Sequence, residues 1–486
     1  MTATTARLTG GCRAIEFLPV VVHIFVDAAD RPHCSQLGTA LEQHNRRAGL
    51  MPSTVSADRD QDREPTQRIK STVMGASFGT LIEYFDYGSY AYLAPTIANV
   101  FFASGDSKAA LVQTLAVFAL SFAARPLGGL FWGHFGDRIG RKRTLTITIV
   151  GMGIATVAIG VLPGYAVIGL WAPVLLLIAR LGQSFCAAGE YSGAAVLLGE
   201  HAPPHRRARS ISFAPIGNAS GLLVASCVAT GLHAALSHEA MLSWGWRIPF
   251  LAGAPLTIIG WYIRRKLEET PAFLALTASG EVAKTPLMSG LKTHWRTMLR
   301  MLCIMGINAG GYYLVLSYMA TYIEQEVHLS SFQAGVIVTV ALVVYLPLLY
   351  VFAGLADRFG RKPVLLANCI LLLTLSLPAF LVLNIGGFAV AFAVQLLMVA
   401  VFALNDSTFA TFFIESFPAR VRYSGFAIPF NFGVALFGGT TPLLSAWLID
   451  RTGSSLAPAF IVMTLALVCL GALALSKDTD PQMATR

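Results

Sequence analysis

The sequence GHFGDRIGRK occupies residues 133–142, and a related sequence, GLADRFGRK, occupies residues 354–362. Both contain the core Asp-Arg-x-Gly-Arg-Lys, and the two cores lie 220 residues apart, as Asp137 and Asp357 show. Each copy connects two long apolar runs. A basic core of five identical residues that recurs in this setting predicts two related halves, each repeating one arrangement of helices.

The composition is that of a membrane protein. The 486 residues are 55% hydrophobic and 13% charged, whereas a soluble domain has about 25% charged residues. The mean hydropathy of +0.63 exceeds what one buried core explains. The seven cysteines are scattered without Cys-x-x-Cys spacing, which predicts neither a metal site nor a disulfide framework.

Twelve apolar runs of about 20 residues or more alternate with short loops. Each run can cross a hydrocarbon core of about 30 Å, and it must do so as a helix because lipid offers backbone amides no partner. The runs lie at roughly 71–101, 108–134, 143–163, 168–199, 209–235, 246–265, 298–324, 332–356, 363–383, 386–413, 422–449 and 456–476. We therefore predict an all-α membrane protein with twelve transmembrane helices in two six-helix halves.

Basic residues of the loops predict the orientation, because cytoplasmic loops are enriched in Lys and Arg. With both termini in the cytoplasm, the outer loops hold only Lys108, Arg247 and Arg451, and the inner loops and their flanks hold 19 basic residues. The net charge of +9 thus follows from topology and does not indicate nucleic-acid binding. The inner basic residues are Arg138, Arg141, Lys142, Arg143, Arg206, Arg207, Arg209, Arg264, Arg265, Lys266, Lys284, Lys292, Arg296, Arg300, Arg358, Arg361, Lys362, Arg420 and Arg422.

Five segments follow along the chain. Residues 1–70 are predicted to be a disordered cytoplasmic segment, and Met51 is a candidate translation start. The two six-helix halves occupy 71–265 and 298–476, the central cytoplasmic loop occupies 266–297, and the cytoplasmic tail occupies 477–486.

Acidic side chains inside the first half are candidates for proton coupling. Glu83 and Asp86 stand three residues apart in the first span and share a helix face. An ionised carboxylate there costs about 2.5–3.5 kcal/mol on insertion scales, so it pairs, faces a cavity or takes up a proton. Glu190, in the fourth span, is a third candidate. Ion pairing that only fixes helix packing is the alternative for all three.

Polar groups in the apolar runs are the candidates for substrate binding. Arg125 and Arg180 keep their charge and need an anionic partner, which Glu83, Asp86, Glu190 or a substrate carboxylate can supply. Asp406 is also a possible partner of Arg420 or Arg422, and the tyrosines can serve packing alone. The candidate substrate-binding residues are Tyr87, Arg125, Arg180, Gln183, Tyr312, Tyr313, Asn405, Asp406 and Asn431. We interpret Gly182, Gly189, Gly193, Gly217 and Gly221 as close-packing points between helices.

The basic loops have two interpretations. They can simply anchor the topology, or they can form a latch between the halves that breaks when the access side changes. A second recurrence supports the two related halves: Glu-x-x-Pro ends the fourth span at Glu200 and the tenth span at Glu415. The candidate gating residues are Asp137, Arg138, Arg141, Asp357, Arg358, Arg361, Glu200, Glu415 and Arg420.

These motifs resemble the metabolite:proton symporter family of the major facilitator superfamily. The resemblance covers about residues 70–477 and is carried by LIEYFDY at 81–87, RPLGG at 125–129, GDRIGRK at 136–142, WAP at 171–173, AGEY at 188–191, WRIPF at 246–250 and LEETPAF at 267–273. Within this family the chain is most similar to proline and glycine-betaine proton symporters, through WGWRIPF at 244–250 and FPARVRYS at 417–424. Ser184 and Ala188 replace glycines that are usual in the family.

The resemblance implies uptake of a small zwitterion such as proline or glycine betaine with a proton, across a bacterial inner membrane. The expected partners are the substrate, the proton and the lipid bilayer, without nucleic acid, and the expected state is a monomer. No cofactor is expected, since the proton gradient supplies the energy. Symport of a dicarboxylic, tricarboxylic or aromatic acid is the first alternative, and a non-transporting membrane sensor is the second. The sequence shows no catalytic constellation, so an enzyme is not expected.

Overall fold

The computed structural model describes residues 56–102, 107–139, 141–266, 286–417 and 422–476. Residues 68–486 form one compact unit, and in the other unit, Met1–Gln67, the described residues 56–67 are helical. The candidate start at Met51, most of the central loop and the tail from 477 onward lie outside the described residues.

The first half contains six long helices, some of them interrupted. Their bounds are α1 Ser56–Tyr92, continued by Ala94–Phe101; α2 Ser107–Ser121 and Ala124–Ile139; α3 Arg141–Val161; α4 Trp171–Ala187 and Glu190–His201; α5 Arg207–Ile211 and Phe213–Ala235; and α6 Arg247–Lys266. Short helices at Tyr165–Ile168, Pro204–Arg206, His238–Ala240 and Met241–Gly245 lie in the connections.

The second half repeats the pattern. Its helices are α7 Pro286–Tyr312, continued by Tyr313–Tyr318 and Met319–Gln325; α8 Ser331–Phe359; α9 Arg361–Leu383; α10 Phe388–Asp406 and Phe409–Glu415; α11 Arg422–Gly433, Val434–Gly438 and Thr440–Thr452; and α12 Ala457–Ala474. Among the described residues, ten helices are long and apolar enough to cross a membrane. The remaining two, α1 and α6, carry buried charged side chains that belong to the site described below.

Two predicted boundaries differ from the structure. Residues 56–70, predicted to be disordered, are helical and continue without a break into the apolar part of α1; their Glu, Gln, Arg and Lys residues favour helix. Helix α7 begins at Pro286, inside the predicted 266–297 loop; proline is favoured at the first helical position, where its missing N–H group would have no partner anyway.

Glycines bring α5 close to α1. A Cβ atom at Gly217 or Gly221 would overlap atoms of α1, including the backbone carbonyl groups of Ser77 and Leu81, so both predicted packing points are confirmed. The same interpretation is wrong for Gly182, around which the described residues leave open space. Small residues permit this approach because lipid supplies no hydrophobic force between helices.

Four helices lose regular α geometry where they line a common cavity. Helix α4 is interrupted just before Glu190, and α10 is interrupted just after Asp406. Helices α7 and α11 contain π-helical segments at Tyr313–Tyr318 and Val434–Gly438. Such interruptions release backbone groups and redirect side chains, and they occur frequently at functional sites.

Candidate functional site

A cavity lies between the two halves, at the interrupted helices. Its empty space is about 250 Å³, a volume that includes open solvent as well as the gaps between packed atoms. The first half contributes Tyr84, Tyr191 and Asn218, and the second half contributes Asn308, Ala309, Tyr312, Tyr313, Asp406, Phe409, Phe430 and Val434. The predicted residues Tyr312, Tyr313 and Asp406 therefore meet in one cavity.

Aromatic rings form much of the wall. Tyr191 stacks on Phe430 with the ring centres 4.7 Å apart, and on Phe409 at 6.0 Å. Tyr84 packs edge-to-face against Tyr312 at 5.2 Å. All three pairs join a ring of the first half to a ring of the second half. Aromatic faces carry negative electrostatic potential, so such a wall attracts an organic cation.

Asp406 supplies the charge of this cavity. The hydroxyl group of Tyr345 donates a hydrogen bond to its Oδ2 at 2.8 Å, and Asn308 Nδ2 donates to its Oδ1 at 3.2 Å. Asn308 also donates to Asn405 Oδ1 at 3.0 Å. Among the described residues no basic side chain lines the cavity. Asp406 thus does not pair with Arg422, which lies 4.0 Å from Glu200, and Arg420 lies outside the described residues.

A second polar cluster lies inside the first half. Arg125 on α2 forms an ion pair with Glu83 on α1, and both side chains are 0% exposed. This contact selects Glu83 from the partners that the sequence allowed for Arg125. The cost of burying each charge is thereby offset by the other.

Asp86 has a different environment from Glu83. It is 2% exposed, and neither of its carboxylate oxygens has a hydrogen-bond partner among the described residues. The charge of Arg180 acts on it from α4, and Thr156 faces it from α3. Arg180 in turn donates to Gln183 Oε1 at 2.6 Å, and Gln183 donates to Thr156 at 2.9 Å.

Tyr87 connects these two groups. The guanidinium carbons of Arg125 and Arg180 each lie 5.1 Å from the centre of its ring. Its hydroxyl group hydrogen-bonds the Ser184 hydroxyl group at 3.1 Å, and its ring stacks on Phe122 at 5.3 Å. The tyrosine ring therefore stabilises two neighbouring cations through cation–π contacts.

Glu190 forms a third buried pair, and its partner is Arg264 of α6. The sequence places Arg264 in the flank of the central loop, and the structure adds that its side chain is buried, being 3% exposed and donating to the Leu145 carbonyl group at 2.5 Å. A long arginine near a helix end can turn inward when an acidic residue of another helix lies close to it. The sequence around the arginine does not predict this orientation, because the partner comes from a distant part of the chain.

Contacts between the halves close the end of the bundle that carries the basic loops, here named the basic end. Asp357 at the end of α8 accepts hydrogen bonds from the backbone N–H groups of Ala208 at 3.0 Å and Arg209 at 3.2 Å. Glu415 lies 3.0 Å from Arg361 and 3.5 Å from Arg207.

One other gating candidate, Arg358, is not part of this set of contacts. The Arg358 side chain is exposed and lies over Phe359. The side chains of Asp137, Arg138 and Arg141, and all of Arg420, lie outside what the structure describes. The first copy of the basic core therefore stays a prediction.

Contacts also close the opposite end. Tyr92, at the end of α1, donates to the Leu316 carbonyl group at 2.7 Å, and Ser226 of α5 meets Thr339 of α8 at 2.7 Å. Between the two ends, Asn431 of α11 donates to the Ala188 carbonyl group of α4 at 2.9 Å. The cavity is thus enclosed by contacts between the halves on both sides.

The structure adds site residues that the sequence interpretation missed. Asn308, Tyr345, Tyr191 and Phe430 are the partners of Asp406 or the walls of its cavity. Asn308 is a polar residue inside an apolar run, so the sequence could have identified it as a site candidate. Phe430 is one of 30 phenylalanines, and nothing in the sequence distinguishes it from the others.

Two six-helix halves around an enclosed polar cavity define a secondary transporter. Residues 76–439 match the Major Facilitator Superfamily, and the chain belongs to this superfamily. The proline/betaine transporter of Salmonella typhimurium is 36% identical over 413 residues, which cover 83% of this chain and 82% of the relative. The glycine betaine/proline/ectoine/pipecolic acid transporter OusA of Dickeya dadantii is 33% identical over 416 residues, with 83% and 82% covered.

Solved structures agree on the fold. The proton:xylose symporter XylE bound to 6-bromo-6-deoxy-D-glucose superposes with a TM-score of 0.71 at 20% identity, covering 86% of this chain and 99% of the other. A partially occluded inward-open conformation of XylE from E. coli gives 0.69 at 18% identity, with 85% and 99% covered. The predicted twelve-helix fold of a multi-pass membrane protein, the superfamily and the absence of enzymatic function are confirmed.

Proposed function

We propose that the protein is a proton-coupled symporter that imports a small zwitterionic osmolyte such as proline or glycine betaine. Import runs across the bacterial inner membrane, with both termini in the cytoplasm. One chain contributes the whole cavity, so the proposed unit is a monomer. The observation that carries the proposal is the pairing of one carboxylate, Asp406, with aromatic walls in a closed cavity between the halves.

The cavity suits a substrate with a positive nitrogen. Asp406 attracts the ammonium group, and the faces of Tyr191 and Phe430 add cation–π attraction that is worth about 0.5–2 kcal/mol. The hydroxyl groups of Tyr312 and Tyr313 have no hydrogen-bond partner among the described residues. They can donate to a substrate carboxylate. The names of the two relatives, which mention proline and betaine, support the same class.

Organic-acid symport remains the second candidate because of the first half. Arg125 and Arg180 are fully buried, and several of their N–H groups have no hydrogen-bond partner among the described residues. These groups can bind a carboxylate. However, an acid with two or three negative charges would have to enter a cavity whose own charge is Asp406, which disfavours it.

Asp86 is the best-placed proton carrier. A buried carboxylate without hydrogen bonds is costly when ionised, so it gains most from protonation. When the proton leaves, the neighbouring Arg180 compensates the charge. A membrane potential of 100 mV supplies about 2.3 kcal/mol for each charge moved, which sustains roughly a 50-fold substrate gradient.

Alternating access follows if the two halves rock around the cavity. The basic end opens when the contacts of Asp357 and Glu415 break, and the opposite end opens when those of Tyr92 and Ser226 break. The Asp-Arg-x-Gly-Arg-Lys core around Asp357 is then a latch as well as a topology anchor.

Uptake into liposomes that contain the purified full chain tests the proposal. Labelled proline and glycine betaine are compared with citrate, 2-oxoglutarate and shikimate, with the outside acidic, with and without a protonophore. We expect gradient-driven uptake of proline or betaine that the protonophore abolishes. Uptake of the acids alone would support the second candidate, and binding without any uptake would support a sensor.

A further inference from the structure

Three buried carboxyl groups, each beside an arginine, follow one another along a single helix. From the middle of α1 towards the basic end they are Asp86, on which the charge of Arg180 acts, then Glu83 in an ion pair with Arg125, and then Glu190 in an ion pair with Arg264; all six side chains are at most 4% exposed. Each arginine comes from a different helix, respectively α4, α2 and α6. Because α1 starts at the basic end, its residue order gives the order of the pairs.

Gly79 places the third pair against α1. A Cβ atom at this position would overlap both the Arg264 guanidinium group and the Glu190 carboxylate. Gly79 precedes Glu83 by four residues, so the two positions share a helix face and are about 6 Å apart along the axis. The Glu190 pair therefore lies one helical turn from Glu83, on the side of the basic end.

The neighbouring pairs interact electrostatically. The charge of Arg264 acts on Glu83, although the ion-pair partner of Arg264 is Glu190. The other polar neighbours of the third pair are the Leu145 carbonyl group on α3 and Tyr423 on α11, whose hydroxyl group donates to the Gly189 carbonyl group at 3.4 Å. Leu145 and Arg264 both lie within a few residues of the basic loops.

We propose that Glu190 is the exit station of the proton pathway, and that Arg264 is the positioning residue that holds this station beside Glu83. The inference rests on the proposed proton symport. The proton moves from Asp86 to Glu83, from Glu83 to Glu190, and from Glu190 to water at the basic end. In each transfer the donor carboxyl group becomes a carboxylate and the acceptor carboxylate becomes a carboxyl group.

The arginines keep the free-energy cost of successive transfers similar in a medium of low polarity. Each transfer leaves the donor ionised beside its own guanidinium group and leaves the guanidinium group of the acceptor without its anion, so one unpaired guanidinium group moves along the pathway with the proton. Side-chain rotation or a bridging water molecule covers the distance between stations. The pathway lies wholly in the first half, whereas Asp406 belongs to the second half.

Two modes of transport in liposomes test this inference. Gradient-driven uptake requires proton release on the inside, whereas exchange of labelled for unlabelled substrate at equal pH does not. For Glu190→Gln we expect gradient-driven uptake to fall by about 10²-fold, the lower range for loss of a proton-transfer group. Exchange is expected to change by less than about twofold, and uptake is expected to lose its dependence on the internal pH.

A variant with both charges of the third pair removed separates the loss of a proton carrier from a loss of stability. Glu190→Gln alone leaves Arg264 buried without its anion, which can destabilise the protein. Glu190→Gln with Arg264→Gln removes both charges, and it should keep exchange and still lack gradient-driven uptake. Glu239→Gln, an exposed carboxylate between α5 and α6, is the control and should match the wild type in both modes.

The outcomes distinguish failure of the Glu190 exit station from failure of proton symport itself. Gradient-driven uptake by either Glu190 variant at wild-type rates would overturn the exit station and leave symport intact. Equal loss of both modes in the double variant would also overturn it, because that result indicates a structural role. If the wild type shows no gradient-driven uptake, symport itself fails, and the exit station fails with it.

Discussion

Asp357 of the second half accepts a hydrogen bond at 3.0 Å from the backbone N–H group of Ala208, which lies at the start of α5 in the first half. The carboxylate thus caps a helix of the opposite half, where the N–H groups and the helix dipole favour negative charge. The contact joins the halves at the basic end through one side chain.

Asp357→Asn should therefore favour opening of the basic end. Loss of the negative charge at the helix start costs the closed state about 1 kcal/mol. This cost raises the open fraction about fivefold. Spin labels at His205 and Phe359, both exposed at this end, measure the opening as a longer distance distribution. Asp450→Asn is the control, and equal distributions in the two variants would contradict the latch.

Asp86→Asn and Glu83→Gln should both abolish proton-driven uptake but differ in stability. Asp86 has no hydrogen bond to lose, so its variant should lose less stability than Glu83→Gln. Glu83→Gln leaves Arg125 buried without its partner, which costs about 3–5 kcal/mol. Uptake and thermal unfolding in detergent measure the two effects. Wild-type uptake by both variants would refute the assignment of the proton site to α1.

Phe430→Leu should weaken substrate binding through loss of an aromatic face. Removal of a cation–π contact of about 0.5–2 kcal/mol raises the KM about 2- to 30-fold for a quaternary ammonium substrate. Phe430→Tyr keeps the ring and should stay near the wild-type KM. If the leucine and tyrosine variants have the same KM for betaine, the ring face does not contact the substrate nitrogen.

Gly221→Ala should destabilise the first half. The new Cβ atom would overlap the Leu81 carbonyl group, which belongs to the backbone of α1 and cannot rotate away. We expect a loss of about 1–3 kcal/mol, as for other overpacked sites. Gly231→Ala, in the same helix but with open space around it, is the matched control. Unfolding temperatures that coincide for the two variants would show that α1 and α5 pack less closely than described.

Most of the fold could be predicted from the sequence, but the partners of the buried charged and aromatic side chains in the site could not. Hydropathy located the helices, and the repeated basic core indicated two halves. The sequence offered three acidic partners for Arg125, but only the packing of α1 against α2 selects Glu83. Phe430 and Tyr191 were not identified as cavity walls, because aromatic residues are common in every span and only the contact between halves distinguishes them.

The sequence by itself determined the membrane environment, the twelve spans, the two halves and the chemical types of the buried charges. These properties depend on local hydropathy and on residue type, so they can be read along the chain. Only the tertiary structure decided that Asp86 lacks a hydrogen-bond partner among the described residues, that Arg264 turns inward to Glu190, and that Asp406 shares a cavity with aromatic rings of both halves. Each of these relationships joins helices that are far apart in the chain, and the free energy of a buried charge depends on which helix supplies its partner.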